Sequence, residues 1–176
     1  MAAAFAVVVS LVSEPNLIGI LGAALAVVAV TIAVIDWRHF IIPDWLNLTG
    51  FGLALIHAAV RDPDDVISLM TSGVVRAGAL SLIFLALRVS YARLRGRQGL
   101  GLGDVKLAAV AGAWLEWGMI PIALQLAVLG ALSGYLLRQF VRGRLFSPTG
   151  RLPFGFYFAP AIWICWFLEL RWSESF

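Results

Sequence analysis

Long apolar runs broken by short polar clusters make up this chain, and the runs are continuous rather than alternating. Continuous runs read as helices that cross a bilayer, which takes about 20 apolar residues, whereas a membrane β-barrel would alternate apolar and polar positions. The interruptions set the boundaries. A first span runs from about Leu17 to Ile35 and closes on Asp36-Trp37-Arg38-His39. Pro43 disfavours helix at the residue before it, and Asp44 is placed to cap the next span, about 45–60. Arg61-Asp62-Pro63-Asp64-Asp65 is a polar turn, and a third span covers about 66–91. A glycine-rich loop leads to a short fourth span, about 104–117, and a fifth covers about 119–141. Pro153-Phe154-Gly155 opens a sixth, which ends near Leu170. The expectation is an all-α membrane protein, a polytopic bundle of about six transmembrane helices. It forms one integral-membrane domain over 1–176, with a six-span core at 17–170 and a short interfacial or loosely ordered lead-in at 1–16.

Composition agrees. The chain is 61% hydrophobic and only 13% charged, against about 25% charged in a soluble domain. Its net charge of +3 does not call for nucleic acid, because the positive residues sort by side of the membrane. Ten of the thirteen lie in or beside the loops after spans one, three and five: Arg38; Arg88, Arg93, Arg95, Arg97 and Lys106; Arg138, Arg142, Arg144 and Arg151. That face is expected to be cytoplasmic, with both termini periplasmic, in a multi-pass protein of a bacterial inner (cell) membrane. The Arg88–Arg97 stretch reads as topology and lipid-headgroup contact. Most acids fall on the opposite face, and Asp36, Asp44 and Asp104 are the exceptions. Trp37 and Trp45 are expected at the inner interface, Trp114, Trp117 and Trp172 near the outer one.

Those exceptions carry the candidate chemistry. Asp36 and Asp104 lie at the same-side ends of different spans, and acids beside a membrane span are functional by default. Two nearby carboxylates share one proton, so that one serves as base toward water while the other acts as acid. Gly101 and Gly103 give the backbone before Asp104 freedom to bend and leave its approach open. Asp104 at the start of its helix and Asp36 at the end of another point to Asp104 as the ionised partner and Asp36 as the proton holder. Lys106 reads equally well as a substrate anchor and as a topology residue. No cofactor or metal is expected: His39 and His57 fall on opposite faces, and the lone Cys165 excludes a CxxC site. A small transporter or channel using Asp36 and Asp104 as an ion or proton relay is the alternative.

Gly101-Leu102-Gly103-Asp104 followed by Val105-Lys106-Leu107, with Asp36-Trp37-Arg38 and Ile42-Pro43-Asp44 upstream and Pro153-Phe154-Gly155 before the last span, resembles the GxGD-type intramembrane aspartyl peptidases, specifically the prepilin (type 4) leader peptidases. The resemblance covers about 17–170. It implies an aspartic endopeptidase with Asp36 and Asp104 as the catalytic pair, and with Gly101, Gly103, Lys106, Arg38, Asp44, Pro153 and Gly155 binding substrate or supporting the pair. It implies cleavage on the cytoplasmic side, after the glycine that ends a short basic leader. The substrates would be prepilins or pseudopilins in the lipid bilayer, for pilus assembly or type II-like secretion. The chain departs from many members in lacking a cysteine-rich insertion, so N-methyltransferase activity is not expected. It looks like the short form that serves tight-adherence pili. It also carries Phe156 where many relatives have a second proline.

Overall fold

A computed structural model describes residues 1–14, 16–96, 99–142 and 153–173. Arg97, Arg144, Arg151 and Glu174 therefore lie outside the described residues, as do the side chains of Arg138 and Arg142. The described chain is all-α, with α1 (Ala2–Ser13), α2 (Leu17–His39), α3 (Asp44–Arg61), α4 (Val66–Arg95), α5 (Leu102–Trp114), α6 (Met119–Arg142) and α7 (Phe154–Ser173). The helix ends fall close to the expected span ends. α2, α4 and residues 119–137 of α6 are long and apolar enough to cross a membrane. Their outward faces carry bare apolar side chains such as Val34, Ile67, Leu82 and Leu129, the surface that lipid would cover.

α5 has 13 residues, about 20 Å of helix, which is shorter than the roughly 30 Å hydrocarbon core. It is held inside the protein instead. Val105, Leu107, Ala108, Val110, Ala111 and Trp114 are all buried among α3, α4 and α7. Small residues allow this. A Cβ on Gly112 would lie 2.6 Å from the backbone of Arg76, so α4 and α5 touch main chain to main chain. Trp114 is buried at 3% exposure and donates to the Gly50 carbonyl at 2.8 Å, so it belongs to the core and not to the expected outer aromatic belt. Its neighbour His57 accepts from Trp166 Nε1 at 3.2 Å.

Residues 2–13 are helical and fold back along α2. The turn is tight, because a Cβ on Gly19 would overlap the Glu14 carbonyl. Asn16 caps α2 by accepting from Ile18 and Gly19. Ser10 receives Trp163 Nε1 and Ser13 receives Arg171, so α1 also lies against α7. At this end of the bundle Arg76, buried at 5% exposure, pairs with Glu116 at 2.9 Å, and Arg61 meets Glu169 at 3.5 Å. Arg76 lies within α4, inside the third expected span. It reaches a carboxylate that a different helix end delivers.

Gly112→Val should overpack the α4–α5 contact and cost about 1–3 kcal/mol or more. Thermal unfolding in detergent micelles checks this, and an unchanged midpoint would contradict the backbone contact.

Candidate active site

The opposite end of the bundle is built from three helix termini. α2 stops at Phe40, which takes a left-handed conformation (φ 55, ψ 34) while its N–H donates to the Asp36 carbonyl at 2.9 Å. Phe40 is the one non-glycine residue with positive φ among the described residues, and such a conformation costs of order 1 kcal/mol. The turn sends Ile41 and Ile42 back across the end of the bundle, and Ile42 becomes buried at 6% exposure. Pro43, extended at φ −62 and ψ 138, is the cap position of α3. Asp44 is therefore the first helical residue and makes no capping hydrogen bond, contrary to the expected N-cap role. Its carboxylate pairs with Lys106 Nζ at 2.6 Å, linking α3 to α5.

Asp104 is the third residue of α5, behind the cap residue Gly101. Its Oδ2 accepts the Gly101 N–H at 3.1 Å and so satisfies one of the donors that a helix start leaves unpaired. Asp36 does the same for a different helix. Buried at 5% exposure, its Oδ2 accepts the Phe156 N–H at 3.0 Å, in the first turn of α7. Both carboxylates thus sit at helix N-termini. Asp36 remains in the last turn of α2, as expected, but the first turn of α7 also meets it, which offsets the helix-end effect that assigned the shared proton to Asp36.

The glycines provide space. A Cβ on Gly103 would lie 2.9 Å from Ile42 Cβ; one on Gly155 would lie 2.6 Å from Ile42 Cδ1 and 3.1 Å from Asp36 Oδ2. A Cβ on Gly101 would stand 3.1 Å from Asp104 Oδ2. Gly101 has an ordinary extended backbone (φ −73, ψ 153), so its bending freedom is unused. Gly103 lies within the first turn of a helix and not in an open loop. Pro153, just before α7, is fully buried.

Asp36, Asp104, Gly101 and Gly103 line one cleft of about 220 Å³, together with Phe40, Ile41, Ile42 and Leu102. Gly155 borders it through Asp36 and Ile42. Lys106 and Asp44 lie outside the cleft, on the next groove along α3 and α5. Arg38 is exposed and forms no ion pair among the described residues. No group of three or more His, Cys, Asp or Glu gathers to hold a metal among the described residues.

Three contributors were missed in the sequence. Ile42 read only as part of the Ile42-Pro43-Asp44 block, with no role of its own, yet it is the side chain against which Gly103 and Gly155 pack. The backbone of Phe156 has no side-chain signature at all. Arg88 read as a topology residue, but it donates to the Leu100 carbonyl and fastens the segment before Gly101 to α4. The available signal was its separation from Arg93 and Arg95, which places it deeper along α4.

A multi-pass helical membrane protein with two acids from different helices lining one cleft is the class that fold and site define. The chain belongs to the type IV leader peptidase family, whose model matches residues 23–137. It is similar to leader peptidase HopD of Escherichia coli, 30% identical over 126 residues, covering 72% of this chain and 78% of that protein. It is also similar to the prepilin leader peptidase/N-methyltransferase of Aeromonas salmonicida, 32% identical over 180 residues, and to that of Pseudomonas putida, 37% identical over 139. The match covers 99% and 76% of this chain but only 57% and 44% of those two relatives, so the chain spans about half their length. No solved structure matches the chain.

Gly155→Ala should destabilise the cleft through Ile42 Cδ1, and Ile42→Val, which removes that methyl, should restore part of the loss. A double-mutant cycle on unfolding midpoints should give a favourable coupling of about 0.5–3 kcal/mol. Additive effects would show that the two side chains do not meet.

Proposed function

We propose that this protein is an aspartic endopeptidase that removes the short basic leader from prepilins or pseudopilins. The observation that carries the reading is the single cleft lined by Asp36 and Asp104 from different helices. Prepilin leader peptidases among the relatives make a pilin-like precursor the natural substrate, and they favour the peptidase over the ion-relay alternative. One carboxylate, unprotonated, takes a proton from a water as its oxygen attacks the scissile carbonyl carbon. The other, protonated, gives its proton to the carbonyl oxygen. The tetrahedral diol then collapses: the C–N bond breaks, the nitrogen takes up the proton held by the first carboxylate, and the second regains its own. One water is consumed, and a new carboxyl terminus and a free amine leave. The glycine ending the leader suits a cleft this narrow, because it brings no side chain to the cut.

The proposed setting is a bacterial inner membrane with the cleft facing the cytoplasm and the Arg76–Glu116 end facing out. Arg38, Arg88, Arg93 and Arg95 all lie toward the cleft end, as the positive-inside rule requires. The chain is proposed to cleave without methylating the new N-terminus.

Asp36→Asn and Asp104→Asn should each lower leader removal by at least about a thousandfold while the unfolding midpoint stays near wild type. The assay is a leader-length mobility shift on co-expressed precursor. Cleavage persisting in either variant would remove that aspartate from the mechanism.

A further inference from the structure

A second opening lies next to the carboxylate cleft along α5, with Val105 and Lys106 following Asp104 into it. It is a groove of about 610 Å³ lined by Asn47, Leu48 and Phe51 of α3, Ser81 of α4, and Val105 and Ala109 of α5. Trp45 and Leu48, at 61% and 74% exposure, lie on its lipid side, so the groove opens sideways into the bilayer. The Lys106–Asp44 ion pair stands at its mouth, on the cleft end. Apart from that pair, its walls are apolar except at Asn47 and Ser81. Asn47 is 5% exposed, its Nδ2 and Oδ1 are both covered from the open groove, and neither has a hydrogen-bond partner. Ser81, the other polar side chain along the wall, is already committed to the Ala77 carbonyl at 2.7 Å.

A buried carboxamide with donor and acceptor both unpaired costs roughly 1–3 kcal/mol, and in lipid no bulk water offsets the loss. Folding gains nothing from Asn47, whereas a leucine of similar size would pack there freely. A lipid tail entering the groove would leave both atoms unpaired. Once the carboxamide turns toward the groove, a peptide main chain satisfies both atoms, because it presents an N–H and a C=O side by side. Those main-chain groups become free only where a helix has unwound, and an unwound stretch is what a buried helical bond needs before it can be hydrolysed.

We infer that this groove receives the apolar segment following the leader of the precursor, and that Asn47 holds its unwound main chain so that the scissile bond reaches the cleft. The inference rests on the peptidase reading and adds to it a substrate-binding residue and the side from which substrate enters.

The test uses the full chain in proteoliposomes with a precursor peptide made of a basic leader, a glycine and an apolar segment of about 20 residues. Asn47→Leu should raise KM about tenfold, the worth of one to two hydrogen bonds, with kcat little changed. Asn47→Gln, which keeps a carboxamide, should fall between. The unfolding midpoint of Asn47→Leu should equal or exceed that of wild type, which separates substrate binding from a structural role. A photo-crosslinking residue in place of Leu48, in the Asp104→Asn background, should form adducts with the apolar segment of the precursor. A wild-type KM in Asn47→Leu, or adducts with lipid alone, would overturn the inference while cleavage by wild type still upholds the peptidase. Absence of cleavage by wild type would remove both.

Discussion

The cleft end of this protein depends on unpaired helix-start N–H groups finding acceptors where lipid offers none. Asp104 caps its own helix by accepting from Gly101, and Asp36 reaches across from the end of α2 to accept from Phe156 at the start of α7. The two acids proposed for catalysis are thus also the groups that satisfy the backbone of two helices. This dual role favours their positions, since a carboxylate that swung away would leave a main-chain donor unpaired. Ile42 closes the arrangement, with Gly103 on one side and Gly155 on the other.

Charge is divided between the two ends of the bundle in different ways. At one end Arg61, Arg76, Glu116 and Glu169 neutralise one another across α3, α4, α7 and the turn after α5. A buried arginine there is tolerable because its partner stands at 2.9 Å. At the other end the Lys106–Asp44 pair lies outside the cleft, and neither Asp36 nor Asp104 forms an ion pair among the described residues. The carboxylates are held by backbone donors, and both line the one cleft.

Much of this was readable from residue order because the bilayer imposes simple rules. Apolar length set the helix boundaries, and Asp36 and Asp104, picked out as acids at helix ends, line the candidate cleft. The failures came where one residue acts on another far along the chain. Asp44 obeyed a local rule as a helix cap after proline, but Lys106 on α5 claims its carboxylate. Residue order placed each aspartate on its own helix and held no sign that α7 would add its first turn to the surroundings of Asp36. Glycine was read as freedom when its use is proximity. Periodicity carries no information about which backbone a missing side chain will let in.

The packing around Ile42 has a consequence for judging related chains. The spacing between the two acids is set by residues that carry no charge: one isoleucine, the small residues at 103 and 155, and a left-handed Phe40. A homologue that keeps both aspartates but enlarges one of these positions would retain its signature and lose the geometry that gives the signature meaning. Conversely, a chain that changes Ile42 and a facing glycine together, trading bulk from one to the other, would look divergent and still bring its acids to the same place.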